Sequence, residues 1–117
     1  KQKKDVHKEY VRGIKSIEGL VLAKTPDYAF NNHWMNVLQI DSEVYGEDRE
    51  TLMARLEKNR IQTRPIWHLN HLQRPYKYCQ DYKIKNAQKL VYNSLCLPSG
   101  SQLNDEDFAI IFEAING

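Results

Sequence analysis

Two histidines three positions apart, His68 and His71, stand beside Trp67 and Asn70, and imidazoles at that spacing on one helical face can ligate a metal. A metal site needs a third and a fourth ligand. The other histidines, His7 and His33, belong to distant segments, which favours structural or hydrogen-bonding imidazoles. Cys79 and Cys96 lack partners at metal-ligand spacing, so neither a disulfide framework nor a zinc module is indicated and reduced thiols are expected. Gly-rich phosphate loops, HExxH pairs and nucleophile elbows are missing from the sequence. Around the histidines, Arg55 to Lys89 holds nine Lys and Arg against Glu57 and Asp81, interleaved with Trp67, Tyr76, Tyr78 and Tyr82. Phosphate contacts and base stacking use that combination. Five acids crowd the neighbouring stretch from Asp41 to Glu50, so a solvated charged face is the plainer reading.

The elements that must position these residues follow from periodicity and turn chemistry. Val6, Tyr10, Val11, Ile14 and Ile17 mark the face of an opening amphipathic helix, with Gly19 as the left-handed residue that closes it. Leu20 to Asn32 reads as a connection containing one short apolar piece, Leu20 to Ala23. From His33 to Asp41 a dense apolar run fits a central strand, apolar on both faces. A helix with Leu52, Met53 and Leu56 inside ends near Asn59, and Ile61 to Arg64 form a short strand stopped by Pro65. Ile84, Ala87, Leu90 and Val91 predict another helix, and Leu95 to Leu97 a short extended piece. The C-terminal helix is signalled most clearly: Asn104 caps, Asp105 to Asp107 fill the first turn, and Leu103 and Phe108 stand at the positions of a hydrophobic staple. Its stripe is Phe108, Ile111, Phe112 and Ile115. Strands alternating with helices predict a small two-layer α/β domain of the α+β type, with a short, largely antiparallel sheet.

A chain of 117 residues with 41% hydrophobic content suits one domain with a modest core. No apolar run is long enough to cross a bilayer or follows the basic start as a secretory signal would, so no membrane partner is expected and the cytoplasm is the expected compartment. A net charge of +2 is too small to imply a polyanion partner, and no nucleic acid is expected.

The order Ile61, Gln62, Thr63, Arg64, Pro65, Ile66, Trp67, then Asn70, His71, Leu72, Gln73, and Pro75 with Tyr76 adds a second line of argument. It resembles the C-terminal domain of the DegT/DnrJ/StrS-type sugar aminotransferases, pyridoxal-phosphate enzymes of the aspartate-aminotransferase fold. The opening helix near Tyr10 and Gly13, the Asn32-His33-Trp34 strand, the Arg49 to Leu56 helix and the Leu95-Cys96-Leu97-Pro98 piece recur in that order, so the resemblance covers essentially the whole chain. Asn70-His71-Leu72-Gln73 is most similar to the branch acting in nonulosonic-acid and surface-polysaccharide pathways. Leu69 and Asn59 depart from it, standing where many members have Pro and Gly.

The resemblance implies that residues 1–117 are a single C-terminal small domain whose cofactor-binding large domain, with the Schiff-base lysine, is absent. It implies a parent enzyme that moves an amino group from glutamate to the keto carbon of a nucleotide-linked sugar, with pyridoxal 5'-phosphate as electron sink. No cofactor and no catalytic activity are expected on the fragment alone. Among the residues, His71 would meet sugar hydroxyls or phosphate, Arg64 would hold a carboxylate or phosphate in its planar fork, and Trp67, Tyr76 and His33 would complete the substrate-binding set. Trp34 and Trp67 are also of the type that fills a core or an interface. Because so short a chain has too little core for all its apolar side chains, an exposed patch and a homodimer are expected. The rival reading is a free-standing α/β binding module whose basic aromatic face takes nucleic acid or polyphosphate.

Overall fold

Leu38 and Leu95 face each other across the centre of a four-stranded sheet, and everything else in the computed structural model, which describes residues 2–100 and 102–117, is arranged about that pair. The strands are β1 (Leu20–Leu22), β2 (Asn36–Ile40), β3 (Arg64–Pro65) and β4 (Ser94–Leu97), in the order β1-β2-β4-β3 with every neighbour antiparallel. The helices are α1 (Gln2–Ile14), α2 (Ser42–Tyr45), α3 (Arg49–Lys58), α4 (Asn86–Asn93) and α5 (Asp105–Asn116). The small α/β architecture with an antiparallel sheet is the one the sequence predicts.

Strand alternation divides the sheet into two unlike faces. On one, Leu20, Leu22, Leu38, Ile40, Leu95 and Leu97 pack with Val6, Tyr10 and Ile14 of α1, Leu52 and Leu56 of α3, and Phe108, Ile111 and Ile115 of α5. Burying such side chains contributes roughly 1.5–3 kcal/mol each. Tyr10 is fully buried there, edge-on to Phe108 and Phe112 at 5.3 and 6.0 Å. Gly13 of α1 explains how the helices approach so closely: a Cβ there would meet the Phe112 ring at 2.2 Å. The other face carries Val21, Val37, Gln39, Ser94, Cys96 and Arg64, and α4 lies against β2 and β4 on that side.

The local signals are realised at α5, where Asn104 and Asp107 form a reciprocal capping box and Leu103 packs on the core beside Phe108. Asp48 caps α3 through the Thr51 N–H, hydrogen bonding with the Thr51 side chain and then its N–H lowers the Asp48 carboxyl pKa, and Asn59 is the C-cap as expected. Five expectations are corrected. Val11 is 45% exposed, because Val6, Tyr10 and Ile14 at steps of four already fill the buried stripe. Gly19 has a left-handed φ of 85°, yet α1 ends at Ile14 and the glycine instead admits the backbone of Tyr45 beside β1. The connection from Leu20 contains a true strand, since pairing with Ile40 and Leu38 satisfies its backbone. β2 starts only at Asn36 and alternates in burial rather than being apolar on both faces, while β3 is displaced to Arg64–Pro65, an edge position that tolerates proline.

Arg55 locks the far end of the core. Its guanidinium donates to the Ala114 and Ile115 carbonyls at 2.8 and 3.0 Å, answering the carbonyls left over at the end of α5. It also pairs with Glu47 and donates to the Tyr45 hydroxyl, and the bond from Glu47 raises the guanidinium pKa further.

Candidate functional site

The candidate residues sit on two connections beyond the sheet and on its edge strand. The first connection, residues 23–35, ends in two Asx turns: the His33 N–H donates to Asn31 Oδ1 at 2.7 Å and the Trp34 N–H to Asn32 Oδ1 at 3.1 Å. His33 itself has a φ of 55°, left-handed and uncommon for a residue with a Cβ. That bend sends the two adjacent rings to different partners. The His33 ring stacks on His7 of α1, centroids 3.8 Å apart and 15° from parallel, and the Trp34 ring lies on Trp67 at 6.4 Å and 27°. Burial lowers the His33 pKa, with repulsion from His7 and Lys4 adding to it.

The second connection, residues 66–85, is built of short 3-10 turns at Asn70–Leu72 and Arg74–Tyr76, tied by Gln73 Nε2 donating to the His68 carbonyl at 2.9 Å. His71 reaches Gln88 of α4, Nε2 to Nε2 3.3 Å. Tyr76 is half exposed, and Tyr78 and Tyr82 stand in solvent with Lys77 and Lys83 over their own rings. Trp34 and Trp67 are 62% and 64% exposed, so neither fills the core. They do form part of the exposed apolar surface that the sequence implies, whereas the strand behind them is buried.

Arg64 stands apart. On β3 opposite Cys96, it is exposed, makes no ion pair among the described residues, and lines a hollow of about 740 Å³ with Cys96, Pro98, Gln102 and Ile110. His33 lines another, of about 600 Å³, with His7, Lys15 and Lys24. The predicted set is therefore spread over three neighbouring places, joined by the stack of Trp34 on Trp67. Periodicity and motif missed a polar chain beneath the first connection. The Asn36 amide accepts from His7 Nδ1 at 2.9 Å and donates to Ser99 Oγ at 2.9 Å, and Ser99 Oγ donates to the Leu97 carbonyl. Its one signal in the sequence is Asn36, a polar residue at a core-facing position of an apolar strand.

Pyridoxal phosphate needs a lysine amine shielded from water and a partner for its ring nitrogen. Every described lysine is exposed or half-exposed, so the described residues do not fit that cofactor's site.

This architecture is that of a domain found in aminotransferases of the pyridoxal-phosphate fold. DesI, solved in the presence of its TDP-sugar product, superposes with a TM-score of 0.88 at 22% identity, over 98% of this chain and 30% of that one. PseC of Helicobacter pylori, an aminotransferase involved in the biosynthesis of pseudoaminic acid, superposes at 0.79 and 13% identity, over 97% of this chain and 31% of its own. In sequence, EpsN of Bacillus subtilis, described as a pyridoxal phosphate-dependent aminotransferase, is 26% identical over 96 residues, covering 77% of this chain and 24% of EpsN. The chain thus spans 24% to 31% of the length of these relatives. The model of the DegT/DnrJ/EryC1/StrS aminotransferase family matches residues 1–116, and the chain belongs to that family of pyridoxal-phosphate-dependent sugar aminotransferases.

Proposed function

We propose that this chain is the C-terminal small domain of a sugar aminotransferase that moves an amino group from glutamate to a nucleotide-linked keto sugar in surface-polysaccharide or amino-sugar biosynthesis. The family match over residues 1–116 carries the proposal, and the TDP-sugar product of DesI supports the substrate class. The parent works as a homodimer, and its cofactor is held by a large domain outside this chain. On the small domain, Trp67 with Trp34 offers a flat apolar face for a sugar ring or base, and His71 and Tyr76 supply hydrogen bonds beside it. Arg64, which makes no ion pair among the described residues, receives the charged end of a substrate in its planar fork, and His33 stands within the first connection.

His71 separates this reading from a purely structural one. In the full-length parent, His71→Ala should slow the keto-sugar half-reaction by about tenfold or more while the glutamate half-reaction stays within about twofold, read in single-turnover experiments. Equal losses in both halves would assign His71 to a shared or structural step. A steep salt dependence of oligonucleotide binding would instead favour the basic aromatic face as a nucleic-acid surface.

A further inference from the structure

The first connection is held by an unusual contact. Two imidazoles, His7 and His33, lie face to face at 3.8 Å, and such a stack is attractive only while they do not both carry charge. The polar chain beneath fixes the His7 ring: Asn36 Nδ2 donates to Ser99 Oγ, which leaves Asn36 Oδ1 to accept from His7 Nδ1–H. The ring is thereby oriented from the buried side, by a residue only 2% exposed, and presents its face to His33. The charged groups around the pair are cations. Lys3 and Lys4 come from α1, Lys15 and Lys24 share the hollow with both rings, and no acid lines that hollow among the described residues. A proton on either ring therefore meets like charge and no carboxylate.

We propose that His7 is a positioning residue for the Trp34–Trp67 stack: its ring seats His33, which holds the 31–35 turn in place, and charge on both imidazoles at once releases that turn. The linkage runs through one residue. His33 is left-handed, so its ring and that of Trp34 are fixed by the same backbone bend, and unseating the first frees the second. The lowered pKa of His33 gives the sign. The seated form binds fewer protons than the released form, so it is favoured at and above the ordinary histidine value of about 6.5 and is lost as pH falls below it. The cation of Lys4 over Phe30, at 3.7 Å, is a second tie on the same connection. Release is thus of the turn at 31–35, not of the domain. Only the description of the tryptophans as a substrate surface rests on the reading proposed above.

Trp34 and Trp67 are the only two tryptophans of the chain, so their coupled near-ultraviolet circular dichroism reports the stack directly. In the 117-residue protein the coupled signal should be full at pH 8 and largely lost by pH 5, while the far-ultraviolet spectrum stays constant. His7→Phe keeps a ring under His33 and turns a charged His33 from repelled to attracted, so its signal should be flat across that range. His33→Asn tolerates the left-handed backbone but removes the stack, and should show a weakened signal with no titration. A flat wild-type signal, or a His7→Phe titration matching the wild type, would overturn the proposal. A flat wild-type signal would leave the aminotransferase reading intact, and failure of the half-reaction test would leave the titration intact.

Discussion

The two sides of the sheet use similar side chains for opposite ends. On the helix-packed side, Tyr10, Phe108 and Phe112 meet edge-on or stacked, the first two withdrawn from water and Phe112 partly so, with Arg55 closing the end of α5. On the connections beyond the sheet, Trp34, Trp67, Tyr78 and Tyr82 remain largely in solvent, held by Asx turns, short 3-10 turns and one tryptophan stack. The difference teaches that apolar content here is divided between what folds the domain and what the domain presents. Aromatic surface left exposed by a rigid frame is the usual material of recognition.

The largest effect that would break this comparison comes from paired truncations. Leu38→Ala should lower stability by about 2–5 kcal/mol, as for a core leucine, whereas Trp67→Ala should stay within about 0.5 kcal/mol despite removing a larger side chain. Urea unfolding measures both, and a comparable loss for Trp67→Ala would make the connections part of the core. Next is Arg55→Met, which leaves the Ala114 carbonyl and Glu47 without a donor and the Ile115 carbonyl with the Tyr45 hydroxyl alone, and should lose about 1–3 kcal/mol. A double-mutant cycle with Glu47→Gln should show coupling, and strict additivity would mean that the pair and the carbonyl bonds act independently.

The smallest effect sharpens the comparison at the helix contact. Gly13→Ala gains about 1 kcal/mol of helix propensity but forces a methyl group into the Phe112 ring, so a net loss of up to about 2 kcal/mol is expected. In a Phe112→Leu background the same substitution should become neutral or stabilising. If it is stabilising with Phe112 in place, the α1–α5 contact is looser than the core described above.

The sequence by itself determined what is local. Asn104, Asp107, Leu103 and Phe108 start α5 because a capping box and a staple need only residues within one turn, and Val6, Tyr10 and Ile14 mark α1 because a buried helix face repeats every three to four positions. The residues from Ile61 to Tyr76 carry the family in their order, which requires no contact at all. Tertiary structure decided the rest. Whether Leu20–Leu22 is a strand depended on β2 being available to pair with it, and whether Val11 is buried depended on how many side chains the α1 stripe could fit. His33 and Trp67 were legible as candidates, yet their partners, His7 and Trp34, lie 26 and 33 positions away in the sequence. No periodicity reaches that far. Those contacts depend on how α1 and the two connections are set around the finished sheet, an energetic choice made by the whole core at once.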